Sequence, residues 1–511
     1  MADSQLLRAD QPGRPSAGRC RTTLLLAGVT LMTSLAACSP VGPDYHPPQP
    51  ELPAAWSVSP TSPTETVALA QWWTQFDDPL LCSLIERAAT DNLDVKIAAA
   101  RVRQARAQYR LATATEAPTV DLSSAYSNIH RSGNVSGSNS GTTQDLFQVG
   151  FDAAWEIDIF GGARRGVEEA GALLAAAGED RTDVLISLEA EVARNYLELR
   201  GNQQRLEFAR ETIAIQEQNL ALARGLQEGG LGNRLDVAQA ETQRALTRAK
   251  LPPLQNSIGQ ARYQLALLLG LPPAALADEL ASAAPLPRLP HLLPATLPSE
   301  LLRRRPDIRR AERQLAAANA AVGVAVADLF PRFSLTALLG LQSARLGDLI
   351  NSGSRYWTVG PTVTWSLFDA GRARANIELN RGRLDEARQV YEKTVLTALN
   401  EVESSLLAME REEATRRTLA EAVSAGELAV ELAEGRYRAG LSGFLDVLVS
   451  QAALYQSRDQ LTQSEQNLAV DLVTLYKALG GGWDMDAPAT GSPDGATPKS
   501  AATQPAKDMQ P

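Results

Sequence analysis

This chain of 511 residues has little of what catalysis and nucleic-acid binding usually need. It contains three cysteines, three histidines and 5% aromatic residues, and its 49 Lys and Arg are outnumbered by 59 Asp and Glu, for a net charge of -10. Binding a phosphate backbone requires clustered Lys and Arg, so this balance excludes a nucleic-acid partner. Cys20 and Cys38 fall within or at the end of an N-terminal targeting segment, which leaves Cys82 as a single mature thiol and rules out a disulfide framework. His46, His130 and His291 are scattered without metal-ligand spacing, so neither a metal nor another cofactor is expected. There is no nucleotide loop, and no motif sets a nucleophile beside a base, so the chain is not expected to be an enzyme. No apolar run after the N-terminus approaches the ~20 residues of a transmembrane helix. Any membrane crossing must therefore be made of strands.

What is present begins at the N-terminus. Arg14, Arg19 and Arg21 precede the apolar run Leu24 to Ala37, which is too short to span a bilayer but has the shape of a secretory signal. The run ends Leu35-Ala36-Ala37-Cys38, a lipobox, which predicts removal of residues 1–37 and acylation of Cys38, palmitate included. The plainer alternative is a signal peptide that happens to contain a cysteine. Ser39 after the cysteine points to sorting into the outer membrane. Each buried CH₂ of an acyl chain contributes about 0.8 kcal/mol, so several chains anchor stably.

The rest of the chain is duplicated. Val149-Gly150 and Trp155 recur as Val359-Gly360 and Trp365, Leu235-Asp236-Val237 as Leu445-Asp446-Val447, and Leu269-Gly270 as Leu479-Gly480, each pair 210 positions apart. Upstream, Asp94 and Pro118 match Asp307 and Pro331 at a spacing of 213. Such long units imply two equivalent halves rather than a solenoid.

Each half has segments that alternate as strands do. From Phe147 to Ile159 the odd positions Phe147, Val149, Phe151, Trp155 and Ile157 are apolar, while Gln148, Asp152, Glu156 and Asp158 fall on the other face. Residues 356–368 repeat the pattern, and 119–129 and 333–341 are weaker candidates. Strands of about 9–11 residues can cross a bilayer when tilted. Four cannot close a barrel, so copies of the chain must combine to remove the edges. A soluble four-stranded sheet packed on helices is the alternative, as is an ordinary solvated face for Asp152, Glu156 and Asp158 in place of a cation-attracting lumen.

Two proline-free stretches, from about Arg164 to Gln227 and from Arg372 to Arg438, predict helices near 95–100 Å long. Tyr391, Val395, Ala398, Val402, Ser405 and Met409 step by four and three, and Val447, Leu454, Leu461, Leu468 and Leu475 by seven, as in coiled coils. Glycine-rich turns at 229–233 and 439–443 fold each stretch into a hairpin. Asn233 with Asp236 has the spacing of a capped helix start.

These features resemble the TolC-like outer-membrane factors, in particular their NodT-type lipoprotein branch. The resemblance covers nearly all of the mature chain. It rests on Cys38-Ser39-Pro40-Val41-Gly42-Pro43-Asp44-Tyr45, on Trp72-Trp73 with Phe76-Asp77-Asp78-Pro79-Leu80, and on Leu251-Pro252-Pro253-Leu254. The most specific block runs from Leu297 through Arg303-Arg304-Arg305-Pro306-Asp307-Ile308 to Ala327, followed by Phe330-Pro331. The resemblance implies a mainly α fold with a transmembrane β part: a homotrimeric channel-tunnel in which each chain gives four strands to a shared twelve-stranded barrel and long coiled-coil helices to an α-barrel. The expected layout is a signal peptide (1–37), an anchored extended segment (38–78), a first repeat (79–270), an equatorial linker (271–297), a second repeat (298–482) and a disordered tail (483–511).

The same resemblance implies a gate near the hairpin tips, where Asp446 falls on a ring aspartate, Asp236 on an aspartate that ties neighbouring helices, and Tyr437 on a tyrosine of that lock. Ser442 and Val449 depart from the family pattern, and Arg234, Arg436 or Arg438 are the candidates to complete the lock. For Asp446 and Asp236 the plainer reading is an acid favoured by the helix dipole. Functionally, the resemblance implies the exit duct of a tripartite efflux system exporting drugs, solvents or metal ions, set in outer-membrane lipid. Its expected partners are a periplasmic adaptor and an inner-membrane pump of the RND type. The alternatives are a lipid-anchored periplasmic scaffold or adaptor, and the same duct used for type I protein secretion.

Overall fold

The computed structural model describes residues 40–57, 64–65, 69–134, 141–289, 293–294 and 298–484. Cys38, the predicted signal peptide and residues 485–511 lie outside them. The chain divides into two compact units, each drawing on both halves of the duplication. The first takes the segment ending at Asp44, Leu111–Glu168 and Asn319–Arg381.

That first unit is built on one antiparallel sheet of four strands: β1 (Thr119–His130), β2 (Thr143–Ile157), β3 (Arg332–Ser343) and β4 (Arg355–Thr364), in the order β1-β2-β3-β4. The two hairpins share one register, since Val120 faces Ala153 in the first as Phe333 faces Val363 in the second. Trp155 donates its indole N–H to Glu116 O at 2.9 Å, and Trp365 does the same to Leu329 O at 3.0 Å. The duplication is therefore structural down to single hydrogen bonds. The segment Val41 to Asp44 is fastened to the first turn of the helix that follows the second strand by Arg165, 4% exposed, whose guanidinium donates to Val41 O, Asp44 and Glu168 at 3.2, 2.6 and 2.7 Å.

The second unit holds most of the helical chain. Pro79–Asp91 (α1) and Leu93–Ala114 (α2) lead into the sheet, and Gly162–Glu228 (α3) leaves it as one helix of 67 residues, about 100 Å of rise. After the first tip the chain continues as Arg234–Arg248 (α4) and Leu251–Leu268 (α5). In the second half, Pro298–Arg304 (α6) and Pro306–Ala327 (α7) precede β3, and Arg372–Arg438 (α8) and Phe444–Ala478 (α9) follow β4. The α4–α5 break falls at Leu251-Pro252-Pro253, where proline has no N–H to continue a helix but fits its first turn. The second half lacks these prolines, and α9 runs through unbroken.

Each long helix ends in the same hydrogen-bonded turn. Leu231 N donates to Leu226 O and Gly230 N to Gln227 O, as Leu441 N does to Arg436 O and Gly440 N to Tyr437 O. This cap requires a left-handed residue, supplied by Gly230 at φ 75° and Gly440 at φ 70°. Gly270 and Gly480 close α5 and α9 likewise, and a Cβ on either would stand 3.0–3.1 Å from the carbonyl of Asp91 or Arg304. At these same joints Asn92 donates to Leu268 O at 2.8 Å, and Arg305 to Ala478 O at 2.9 Å.

The largest core packs Trp72, Phe76, Leu84, Ile85, Tyr196, Leu197, Leu265 and Tyr476, with Trp72 stacked on Tyr476 at 5.3 Å. A separate small cluster at the tips joins Leu220, Ala223, Val237, Ala240, Ala433, Phe444, Val447 and Leu448. Two expectations are corrected here. Residues 38–78 are not extended throughout, because Leu69–Phe76 winds into a 3-10 helix that buries Trp72, Trp73 and Phe76. Trp483, assigned to the tail, is held by a bond to Arg304 O at 3.1 Å, with the Arg309 guanidinium 5.1 Å over its ring.

Candidate functional site

At the hairpin tips, Asn233 accepts a hydrogen bond from Asp236 N at 2.9 Å, so the sequence-predicted cap is formed and Asp236 sits in the first turn of α4. Tyr437, near the end of α8, stacks obliquely on Phe444 at 5.3 Å. Burial, and then the charge of Asp236, push its phenol above the ordinary value. Tyr437 thus packs against the tip cluster, within reach of the charge of Asp236. Asp446 is exposed in the first turn of α9, where its N–H donates to Gly443 O at 3.2 Å and its carbonyl accepts from Ser450.

Of the candidate lock arginines, Arg438 pairs with Glu434 at 2.8 Å and Arg436 reaches Leu441 O at 3.4 Å, while Arg234 is exposed. The Ser442 hydroxyl is buried without a hydrogen-bond partner among the described residues. Sequence motifs missed the polar ties that bind the hairpins. Arg224 pairs with Glu241 at 2.5 Å, and the equivalent positions of the second half, Glu434 and Gln451, are bonded at 3.1 Å. Gln451 also takes a bond from Asn219 at 2.8 Å, and Arg205 is held by Asp459 at 2.7 Å. The duplication at 210 could have found the first two; the others join positions more than 230 apart with no shared motif.

The sheet separates its faces as the alternation predicts. Ser123, Asp152, Gln148, Gln342, Thr336, Thr358 and Thr362 share one face by register, with Ser123 bonded to Asp152 at 2.5 Å and Gln148 to Gln342 at 3.3 Å. Asp158 does not belong to that face. Its carboxylate accepts from Arg164 N at 2.9 Å and from the Arg164 guanidinium at 3.3 Å, and so caps the start of α3 beyond the end of β2. The opposite face carries Val120, Leu122, Phe151, Leu339, Trp357, Val359 and Val363, all exposed in the chain, Trp357 to 72%. Water penalises so much bare apolar surface, whereas lipid does not. Among the described residues, no strand pairs with the outer edge of β1 or of β4. Among the described residues, no helix is long and apolar enough to cross a membrane, and no His/Cys/Asp/Glu group is placed to hold a metal.

Comparison with known proteins agrees with this geometry. The family model for outer membrane efflux proteins matches residues 84–271 and 297–481. The probable efflux pump outer membrane protein TtgC of Pseudomonas putida is 35% identical over 469 residues, covering 90% of this chain and 96% of TtgC. Nodulation protein T of Rhizobium leguminosarum is 31% identical, covering 94% and 96%. Among solved structures, the outer-membrane channel OprN superposes with a TM-score of 0.82 at 37% identity, covering 87% of this chain and 99% of OprN. The open state of the Neisseria gonorrhoeae MtrE outer membrane channel gives a TM-score of 0.79 at 29% identity.

Proposed function

The chain belongs to the outer membrane efflux protein family, and from that premise we propose that it is the outer-membrane exit duct of a tripartite efflux system, working as a homotrimer. The observation that carries the reading is the four-stranded sheet with one exposed apolar face, one polar face and two open edges. Four strands cannot enclose a lumen, but three copies supply twelve, removing every edge and turning the polar face inward. A periplasmic scaffold has no use for such a face.

In this reading Cys38 is acylated and holds the N-terminus in outer-membrane lipid, and the helices extend into the periplasm to meet an adaptor and a proton-driven pump of the RND type. The tips close the duct. Three copies of Asp446 form a narrow carboxylate ring that attracts cations and is costly to desolvate, and Asp236 with Tyr437 links neighbouring helices in the closed state. Relatives are named for antibiotic, toluene and pyoverdine export, which favours small molecules as cargo, selected by the pump rather than by the duct.

The test is electrical. The purified chain in planar lipid bilayers is expected to run as a heat-dissociable trimer and to give discrete, cation-preferring conductance steps. Trimers that never conduct, in the wild type and in tip variants alike, contradict the duct.

A further inference from the structure

At the end of the sheet away from the helices, the two hairpins differ in charge. Asp145 on β2 and Arg355 on β4 are equivalent positions, 210 apart. Each stands opposite the corresponding residue of its partner strand, Asn128 for Asp145 and Leu341 for Arg355. The acid is satisfied within the chain, because its carboxylate accepts from Asn128 at 2.7 Å and from the Tyr126 hydroxyl at 3.0 Å. The cation is not. Leu341 and Leu339 occupy the places that Asn128 and Tyr126 hold in the first hairpin, and neither offers a guanidinium an acceptor.

A second arginine joins it. Arg345 lies just past the end of β3 in extended backbone (φ -129°, ψ 133°), so it carries the alternation of Leu341 and Ser343 one step further on the same face. Among the described residues neither guanidinium has an ion-pair or hydrogen-bond partner, and both side chains are exposed. At the helix end of the sheet, by contrast, Arg332 is paired with Asp328 at 2.6 Å and Arg164 with Asp158 at 3.3 Å. Residues 126–134 of the β1 edge contain no acid, so a further copy seated there brings no carboxylate from that stretch.

The depth of these cations identifies their partner. Trp357 and Leu339 face one another on the apolar side, 72% and 62% exposed. From Trp357 to Trp365 is about 26 Å along the strand, or about 20 Å of height at a tilt near 40°, close to the span between the two aromatic girdles of a lipid-facing band. Arg355 is on the same face two residues beyond Trp357, roughly 7 Å outside that band and therefore among headgroups. The helices leave from the other end of the strands, so in the duct reading this end is the outer one. The outer leaflet of an outer membrane is built from a phosphorylated glycolipid, and the planar fork of arginine matches phosphate oxygens. Resting on the duct reading, we propose that Arg355 and Arg345 of each copy hold a phosphate of an outer-leaflet glycolipid. Leu346 and Ile350 of the intervening turn, 65% and 92% exposed, give that lipid apolar surface beside its phosphate. The first hairpin has no such site, since Asp145 repels a phosphate where Arg355 attracts one.

The test titrates the full-length protein, purified in detergent, with three probes: bisphosphorylated lipid A, lipid A stripped of its phosphates, and inorganic phosphate. Bound lipid is counted by native mass spectrometry. The wild type is expected to bind lipid A, with affinity about tenfold lower for the stripped probe and for the Arg345→Gln, Arg355→Gln double variant. The corresponding double lysine variant should recover part of the loss. Arg131→Gln, at the same end but on the polar side by parity, should bind as the wild type does. Inorganic phosphate at equal concentration should not compete. The site is overturned if the double glutamine variant, still trimeric on unheated gels, binds lipid A undiminished, or if the stripped probe binds equally well. Competition by inorganic phosphate would also overturn it, leaving a site for free anions only. A wild-type chain that forms no trimers contradicts the duct itself, and the lipid site falls with it.

Discussion

Arg305 takes a full charge to a site only 7% exposed, where Asp307 and Glu401 hold it at 2.7 and 2.6 Å and Ala478 O accepts a further bond. Removing the guanidinium leaves the Ala478 carbonyl and the part-buried Asp307 without their donor, so Arg305→Ala is expected to destabilise the chain by about 1–3 kcal/mol, read as a lower dissociation temperature of the trimer. Glu189 poses the opposite problem. Burial alone lifts its carboxyl to about 9, and Oε2 has no partner among the described residues. A folded-state value above the unfolded one means that folding favours the protonated form. Its contribution is thus complete below about 4.5 and is lost as pH rises toward 9. Glu189→Gln, which cannot ionise, should flatten that alkaline decline in thermal stability; an unchanged slope would place the titration elsewhere. At the tips, Asp446→Ala removes three carboxylates from the proposed ring and should raise single-channel conductance and weaken cation block. Unchanged currents would leave Asp446 as an ordinary first-turn acid.

At the scale of elements, the Asn233 side chain ties down one free amide at the start of α4. Asn233→Ala should cost about 1 kcal/mol locally and speed amide exchange over the first turn of α4, while Asn233→Ser should restore protection. Much at this scale was legible in the sequence. α8 spans Arg372–Arg438 as its proline-free run predicts, and both tips turn where glycine supplies the left-handed residue. Strand faces were legible because alternation is a local signal. Strand ends were not: Trp365 to Phe368 alternate like a strand, but pairing needs a neighbour that one chain does not contain. Asp158 was misplaced for a related reason, since a capping acid and a strand acid look alike until the helix start is located. The Arg305 and Asn92 joints escaped detection because their acceptors are backbone carbonyls more than 170 residues away, and a carbonyl leaves no trace in a sequence. At the tips, the family pattern already grouped Tyr437 with Asp236, whereas the stacking of Tyr437 on Phe444 needed the fold.

At the scale of the whole molecule, a single chain is an unfinished object, with bare apolar strands and two open edges that only lipid and further copies can satisfy. The acylation proposed at Cys38 would add a second membrane attachment, so metabolic labelling with palmitate is expected to mark the wild type and not Cys38→Ala, and trimers of the variant should still form through the sheet. The central claim is that these trimers are the exit of an efflux system. The measurement that addresses it most directly is accumulation of a lipophilic fluorescent dye in cells lacking the chain, with the wild type and Asp446→Ala supplied back. Deletion should raise intracellular dye severalfold in a manner that depends on the proton gradient in the parent, and the wild-type chain should restore export. Equal accumulation with and without the chain, across dyes, drugs, solvents and metal ions, would contradict the account.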